Sequence, residues 1–169
     1  MALIIIYVYN LTITGGAQLG MSETKKTLYK RETAIRALMD LANKLTEYTS
    51  KLVRVPFYDE IKDVIIFGSF AKGADRVHDL DVYLEIVEHR DMDETFWELW
   101  CDGPYDPIKA RYEQLNTLCR CLRGKRRIYS FHSDVISAGD REIAMSDVHY
   151  FIMKDGEVDY DELEKLFVL

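Results

Sequence analysis

Hydrophobic positions recur along the chain with two periods, and each period predicts a different element. Between residues 22 and 53 most apolar residues follow a helical spacing of three and four, interrupted by Arg31 and Thr49. The stripe comprises Leu28, Ile35, Leu38, Ala42, Leu45 and Leu52. Ser22 suits the N-cap and Pro56 follows the stripe, so we predict one long N-terminal helix. We expect this helix to pack on a sheet or a neighbouring helix, because the stripe covers too few heptads for a coiled coil.

Three other stretches predict strands. Residues 62–67 (KDVIIF) form a short apolar run that stops at Gly68. Residues 79–87 (DLDVYLEIV) alternate apolar and polar side chains, as on a strand with one buried face. A third strand is predicted over Arg127–Ile136.

The remaining stretches predict helices and a hairpin. A helix is expected over 93–101, and a second begins at Asp106-Pro107 and ends at Gly124. Its apolar face comprises Ile108, Tyr112, Leu115, Leu118 and Leu122. Strands over 150–153 and 157–160 are expected to flank an Asp-Gly turn, before a closing helix over 161–167. This order predicts a single α/β (α+β) domain over 22–169, with helices flanking a small mixed β-sheet.

Residues 1–21 form an N-terminal extension of uncertain status. Its apolar run is too short to cross a membrane, which takes about 20 residues, and it lacks the basic start of a signal peptide. Two interpretations stay open. The run is an extra β-strand, or it is translated upstream sequence and the natural start is Met21.

Composition excludes several classes of protein. The chain has 169 residues, with 48% hydrophobic and 30% charged residues, which is typical of a soluble globular domain. Its net charge of −7 argues against a general nucleic-acid coat protein. None of the three cysteines (Cys101, Cys119, Cys121) forms a pair at metal-ligand spacing with a histidine nearby. We therefore expect reduced cysteines and a cytoplasmic location.

The stretch from Ile65 to Ile86 carries the candidate chemistry. A strand ends at Gly68-Ser69, and the next strand opens with Asp79-Leu80-Asp81. Residues two apart on a strand share a face, so the two carboxylates lie side by side and repel unless a cation sits between them. Mg²⁺ is bound by one or two carboxylates together with phosphate oxygens. Gly68 allows close backbone approach to a phosphate, Ser69 adds a hydroxyl donor, and Lys72 adds a positive charge.

This stretch resembles the signature of the nucleotidyltransferase superfamily related to DNA polymerase β, in particular its minimal nucleotidyltransferases. The matching parts are Gly68-Ser69, nine variable residues that include Lys72 and Gly73, and Asp79-Leu80-Asp81 within an apolar strand. His78 departs from the small residue that usually precedes the first aspartate. The resemblance covers about residues 57–160 and implies the nucleotidyltransferase fold. It also implies a third catalytic carboxylate from a later strand, for which Asp134 is the candidate.

The resemblance implies transfer of a nucleoside monophosphate (AMP from ATP) to a hydroxyl, with release of pyrophosphate. Asp79, Asp81 and Asp134 would be the catalytic and metal-binding residues, with two Mg²⁺ ions, and Gly68, Ser69 and Lys72 would bind the nucleotide. The chain has little room for the extra domains typical of members with polymer acceptors, so a protein or small-molecule acceptor is expected. One alternative is a catalytically silent interaction module, such as an antitoxin-like protein. Another is a phosphodiesterase on a different scaffold. The expected protein partners are a second copy of the chain or a toxin-like protein.

Two further features are ambiguous in the sequence. Five basic residues lie within eight positions: Arg120, Arg123, Lys125, Arg126 and Arg127. They predict either contact with RNA, a phosphorylated acceptor or the triphosphate, or simply a solvated helix end. His132 shares a strand face with Asp134 and is interpreted as a surface or structural histidine, with contact to substrate or to the carboxylate as the alternative.

Overall fold

The computed structural model describes residues 27–50, 60–87 and 106–169. Its strands are β1 Tyr29–Lys30, β2 Glu60–Phe67, β3 Arg76–Val77, β4 Leu80–Val87, β5 Tyr129–His132, β6 Tyr150–Lys154 and β7 Glu157–Val158. Its helices are α1 Arg31–Thr49, α2 Gly68–Ala71, α3 Pro107–Arg123, α4 Asp140–Met145 and α5 Tyr160–Val168. The predicted helix over 93–101, the N-terminal extension and both ends of the predicted helix over 22–53 lie outside the described residues.

A five-stranded sheet in the order β5-β4-β2-β6-β7 forms the centre of the fold. Only β4 and β5 are parallel, and the other neighbours are antiparallel. Strand β2 is the central strand of this sheet. Its apolar run VIIF suits that position, because Val64, Ile65 and Ile66 are fully buried. The predicted mixed sheet with flanking helices is therefore confirmed at the level of the α+β class.

Helix α1 is shown over Arg31–Thr49, and the described residues 27–30, which the prediction included in the helix, are not helical. Tyr29 and Lys30 instead pair with Val77 and Arg76 as a short antiparallel ladder, which holds these two residues extended. The side chains that α1 buries are Ala34, Ala37, Leu38, Leu41, Ala42, Leu45 and Tyr48. They belong to the same core cluster as strand residues and α3, so the expected packing within the domain is confirmed.

Helix α3 begins and ends where the sequence predicts. The Asp106 carboxylate accepts hydrogen bonds from the N–H groups of Ile108 and Lys109, and Gly124 ends the helix at φ +56°. Its predicted apolar face is only partly buried. Leu115, Leu118 and Leu122 enter the core, whereas Ile108 and Tyr112 are exposed.

Two strand predictions extend too far. Strand β5 ends at His132 rather than at residue 136, because the chain turns at Ser133, whose N–H donates to the Asp140 carboxylate at 3.2 Å. Strand β7 ends at Val158, because the Asp159 side chain caps α5 and Tyr160 is already helical. Asp134 consequently lies in a turn and not in a strand.

No helix within the described ranges is both long and apolar enough to span a bilayer.

Candidate functional site

The predicted site residues meet at one end of the sheet. Strand β2 ends at Phe67, which pairs with Asp81 near the start of the antiparallel strand β4. Gly68 follows Phe67 directly, and Asp79 precedes Leu80, the first residue of β4. The topology therefore brings Gly68-Ser69 and Asp79-Leu80-Asp81 together, although they are separated by nine residues in sequence.

Gly68 lies directly against the Asp81 carboxylate. Its φ is +74°, in the region that L side chains rarely adopt. A Cβ at this position would overlap Asp81 Oδ2, well inside van der Waals contact. Both the backbone conformation and the space therefore require glycine, and the missing side chain leaves room at one oxygen of the carboxylate.

Ser69 and Lys72 lie on the exposed side of the short connection after β2. Backbone hydrogen bonds from Lys72 to Gly68 (3.3 Å) and from Ala74 to Ser69 (3.1 Å) fold this connection tightly. The Lys72 ammonium forms an ion pair with Asp147, in the loop between α4 and β6. The hydrogen bond from Lys72 lowers the pKa of Asp147 below its usual value. The candidate phosphate ligand Lys72 thus has a carboxylate partner in this structure.

Arg31 holds the connection after β2 in place through its guanidinium group. Its guanidinium donates to the Phe70 carbonyl (3.0 Å), to the Ala74 carbonyl (3.4 Å) and to the Leu166 carbonyl of α5 (2.7 Å). It also lies 4.4 Å above the centre of the Phe70 ring. Arg31 therefore joins α1, the connection after β2 and the C-terminal helix at one point.

His132 is the site residue whose position the sequence did not show. Strand β5 runs parallel to β4, with Ser130 opposite Asp81 and His132 opposite Tyr83. His132 Nε2 lies 3.5 Å from Asp81 Oδ1, and Nδ1 lies 3.9 Å from Asp140 Oδ2. The hydrogen bond to Asp81 is the main reason why the pKa of His132 is raised, with the charges of Asp81, Asp140 and Asp79 adding to it against the effect of burial. His132 therefore contacts Asp81, a partner that the sequence did not suggest, since the carboxylate considered there was Asp134.

The hydrogen-bond partners of Asp134 are Tyr83 and Arg141. Its Oδ2 accepts a hydrogen bond from the Tyr83 hydroxyl at 3.2 Å, and its Oδ1 accepts one from the Arg141 N–H at 3.0 Å. Burial, followed by the charge and hydrogen bond of Asp134, raises the pKa of Tyr83, so this hydroxyl stays protonated. In the ranges that the structure covers, no three His, Cys, Asp or Glu side chains are arranged to hold a metal ion. An Mg²⁺ ion bound in part by phosphate oxygens would need only one or two carboxylates from the protein, which Asp79 and Asp81 could supply.

A cleft of about 430 Å³ is lined by Tyr83 and Glu85 of β4 together with residues of the turn after β5. Its polar lining comprises Tyr83, Glu85, Arg111, Ser133, Asp134 and Arg141. Arg141 forms an ion pair with Glu85 and lies 3.6 Å from the buried carboxylate of Asp63, so it ties α4 to strands β2 and β4. Asp134 is the predicted site residue that lines this cleft.

The basic residues at the end of α3 divide into two groups. Arg126 forms an ion pair with Asp40 of α1, and the Arg123 guanidinium lies 5.8 Å from the centre of the Phe131 ring. Arg120, Lys125 and Arg127 are exposed.

No protein-family model, curated protein or solved structure matches this chain significantly. A functional interpretation therefore depends on the motif and on the geometry at the end of the sheet.

Proposed function

We propose that this protein is a metal-dependent nucleotidyltransferase that moves a nucleoside monophosphate, AMP from ATP, to an acceptor hydroxyl and releases pyrophosphate. The observation that carries the proposal is the direct contact between Gly68 and the Asp81 carboxylate at the end of β2. In proteins generally, a Gly-Ser turn and an Asp-x-Asp strand are each common and need not lie near each other. Here the fold brings them together, and the glycine is required at the carboxylate itself.

The proposed roles follow from the positions of the side chains. Asp79 and Asp81 hold Mg²⁺ together with the triphosphate oxygens, and the ion when bound neutralises negative charge on the triphosphate and the leaving pyrophosphate. The Ser69 hydroxyl and the backbone N–H groups after Gly68 donate to phosphate oxygens. Lys72 exchanges its Asp147 partner for a phosphate, which costs little because both groups of this ion pair are about half exposed.

The acceptor side of the site is assigned to the cleft beside β4. It is large enough for the end of a side chain or a small molecule, and its lining includes Asp134 and Tyr83, which follows Asp81 by two residues on β4. The role of Asp134 as third metal ligand or general base stays a prediction, and so does the second Mg²⁺ ion. Asp134 itself accepts hydrogen bonds from Tyr83 and from the Arg141 N–H. His132 already contacts Asp81 and orients its carboxylate.

The first test is thermal melting with Mg²⁺ and ATP. A ligand present at about 100 times its Kd stabilises the folded state by about 2.7 kcal/mol. We expect the wild type to melt at higher temperature with Mg²⁺-ATP, and the Asp79→Asn/Asp81→Asn variant to fold but show no shift. The matched control is Asp155→Asn/Asp161→Asn, which removes two exposed carboxylates elsewhere and should keep the shift. Equal shifts in all three proteins would contradict the assignment.

The second test measures transfer itself. Incubation with α-labelled ATP and Mg²⁺ should release pyrophosphate and label an acceptor in a cell extract, and the Asp79→Asn/Asp81→Asn variant should do neither. A phosphodiesterase that acted on ATP would pass the labelled phosphate to water, so it would release free AMP and leave the acceptor unlabelled.

One observation favours a second candidate, the catalytically silent interaction module. Lys72 is paired with Asp147, and Asp134 is held by Tyr83 and Arg141, so two predicted site residues are bound to other groups. A Mg²⁺-ATP shift in melting without pyrophosphate release under any acceptor condition would support this alternative.

A further inference from the structure

Of the five basic residues around the end of α3, Arg126 has an acidic partner and Arg123 lies over an aromatic ring, whereas the other three have neither contact within the described part of the chain. These are Arg120, Lys125 and Arg127, and all three side chains are exposed. No acidic residue occurs in the sequence between Glu113 and Asp134. On a chain with a net charge of −7, this is a local surface of opposite sign.

The usual structural reasons for basic residues at a helix end are already met by other side chains. The ammonium of Lys44 on α1 donates to the Leu122 carbonyl at 2.8 Å, which supplies a positive charge for the C-terminus of α3. Arg126 joins this segment to α1 through its ion pair with Asp40. Arg120, Lys125 and Arg127 are therefore not needed for either purpose.

The basic surface borders the candidate site. The N–H of Leu80 donates to the Ile128 carbonyl at 2.7 Å, and Leu80 lies opposite Tyr129 in the parallel pair. Because β4 and β5 run in the same direction, the residues that precede them enter the sheet at the same end. Arg127, which precedes Ile128, therefore lies at the end of the sheet that carries Asp79.

An aromatic group lies beside the same surface. The half-buried ring of Phe131 stacks on Tyr129 with a centroid distance of 5.5 Å and an interplanar angle of 23°, and the Arg123 guanidinium lies over it. Phe131 also packs against the core, so the group offered to a base is the Arg123 guanidinium held on this ring, and bases of single-stranded nucleic acids stack on arginine as well as on aromatic rings. Binding of an acidic protein would require only the positive charges and would not explain the arginine–aromatic pair.

We propose that Arg120, Lys125 and Arg127, with the Arg123–Phe131 pair, bind the phosphodiester backbone and a base of a single-stranded polynucleotide. Binding itself is independent of catalysis, whereas delivery of a polynucleotide hydroxyl to Asp79 and Asp81 rests on the proposed function. Such an acceptor would extend the expectation of a protein or small-molecule acceptor to nucleic acid.

The test is fluorescence anisotropy with labelled oligonucleotides of about 12 nucleotides, one of RNA and one of DNA, without any triphosphate. We compare the wild type with Arg120→Ala/Lys125→Ala/Arg127→Ala. The matched control is Arg36→Ala/Lys154→Ala/Lys165→Ala, which removes three positive charges elsewhere and gives the same net charge. Melting temperatures establish that all three proteins fold.

We expect the patch variant to bind at least tenfold more weakly than the control variant. Its plot of log K against log salt should be shallower by about 2, since each phosphate contact on a single strand contributes roughly 0.7 to the slope. Binding of either nucleic acid supports the proposal, and stronger binding of RNA than of DNA would show that the 2′-hydroxyl is recognised.

Three results would overturn the proposal: no binding of either oligonucleotide at low salt, equal losses in the two triple variants, or equally tight binding of labelled poly-glutamate. The last result would identify the surface as a site for acidic proteins. Because no triphosphate is present, these results do not depend on whether the protein transfers nucleotides.

Discussion

At the scale of single residues, a substitution at Gly68 should have two effects. It should strain the backbone, and it should displace the Asp81 carboxylate. Gly68→Ala introduces a methyl group that overlaps Asp81 Oδ2 at a position with φ +74°. We expect a loss of stability of more than the ~1 kcal/mol that a left-handed alanine costs, because the Asp81 side chain must also move. We also expect the Mg²⁺-ATP melting shift to disappear.

Gly156→Ala is the control for this prediction. Gly156 has a similar φ of +85°, but nothing lies within 4 Å of the point that the alanine methyl group would occupy, so only the backbone cost applies. Urea unfolding measures both losses. Equal losses in the two variants, with the nucleotide shift intact in Gly68→Ala, would show that the close approach to Asp81 has no consequence.

Two cysteines two positions apart should differ sharply in reactivity. Burial raises the pKa of the Cys119 thiol to about 11, whereas Cys121 is exposed. The thiolate is the reactive form, so Cys119 should resist iodoacetamide at pH 8 and react faster only as the pH approaches 11. Trypsin cuts after Arg120, so mass spectrometry assigns the two labels to separate peptides. Equal labelling of the folded protein at pH 8 would contradict the buried position of Cys119.

Residues of the site were predictable from sequence where their partners are local or follow a motif. Gly68 and Asp81 were found because a glycine turn and an alternating strand are both visible in short stretches. The contact of His132 with Asp81 was not predictable, because it depends on β5 lying parallel to β4 in one particular register. The two-residue spacing of His132 and Asp134 predicted a shared strand face, but it did not indicate which strand lies beside β5, and Asp134 lies in a turn.

At the scale of elements, the start of α3 depends on one carboxylate. Asp106 Oδ1 accepts hydrogen bonds from the N–H groups of Ile108 (3.0 Å) and Lys109 (3.2 Å). We expect Asp106→Ala to destabilise the protein by about 1 kcal/mol, and Asp106→Asn to recover most of it because asparagine is an equally good N-cap. Chemical denaturation of the three proteins measures this order, and identical midpoints for Ala and Asn would contradict the cap.

The same elements show what the sequence could and could not define. Both ends of α3 were correct because Asp-Pro and glycine act within a single turn of helix. The end of β5 was misplaced by four residues (132 against 136), because it is determined by Asp140, which accepts the N–H of Ser133 from the start of α4. Residues 133–136 resemble a strand when they are considered without that distant carboxylate.

At the scale of the whole molecule, Arg31 connects parts that lie far apart in sequence. We expect Arg31→Met to lose hydrogen bonds to the carbonyls of Phe70, Ala74 and Leu166 and to destabilise the fold by about 2–3 kcal/mol. Because the connection after β2 loses its anchor, the Mg²⁺-ATP shift should weaken as well.

Arg36→Met is the matched control, since Arg36 is an exposed residue of the same helix. It should change the free energy of unfolding by less than about 0.5 kcal/mol. If Arg31→Met also changed the free energy of unfolding by less than about 0.5 kcal/mol, the three carbonyls would not depend on the guanidinium for their hydrogen bonds.

The Arg31–Leu166 hydrogen bond has a consequence for synthesis on the ribosome. The two residues are 135 positions apart, and α5 supplies the carbonyl. While residue 166 is still untranslated or inside the exit tunnel, Arg31 lacks this acceptor and the nascent Gly68–Ala74 segment lacks part of its support. Strands β2 and β4 can pair earlier, since they are consecutive strands of the sheet. A chain truncated before α5 should therefore still pair these strands, but it lacks the Leu166 carbonyl and should hold the Gly68–Ala74 segment less firmly than the full chain does.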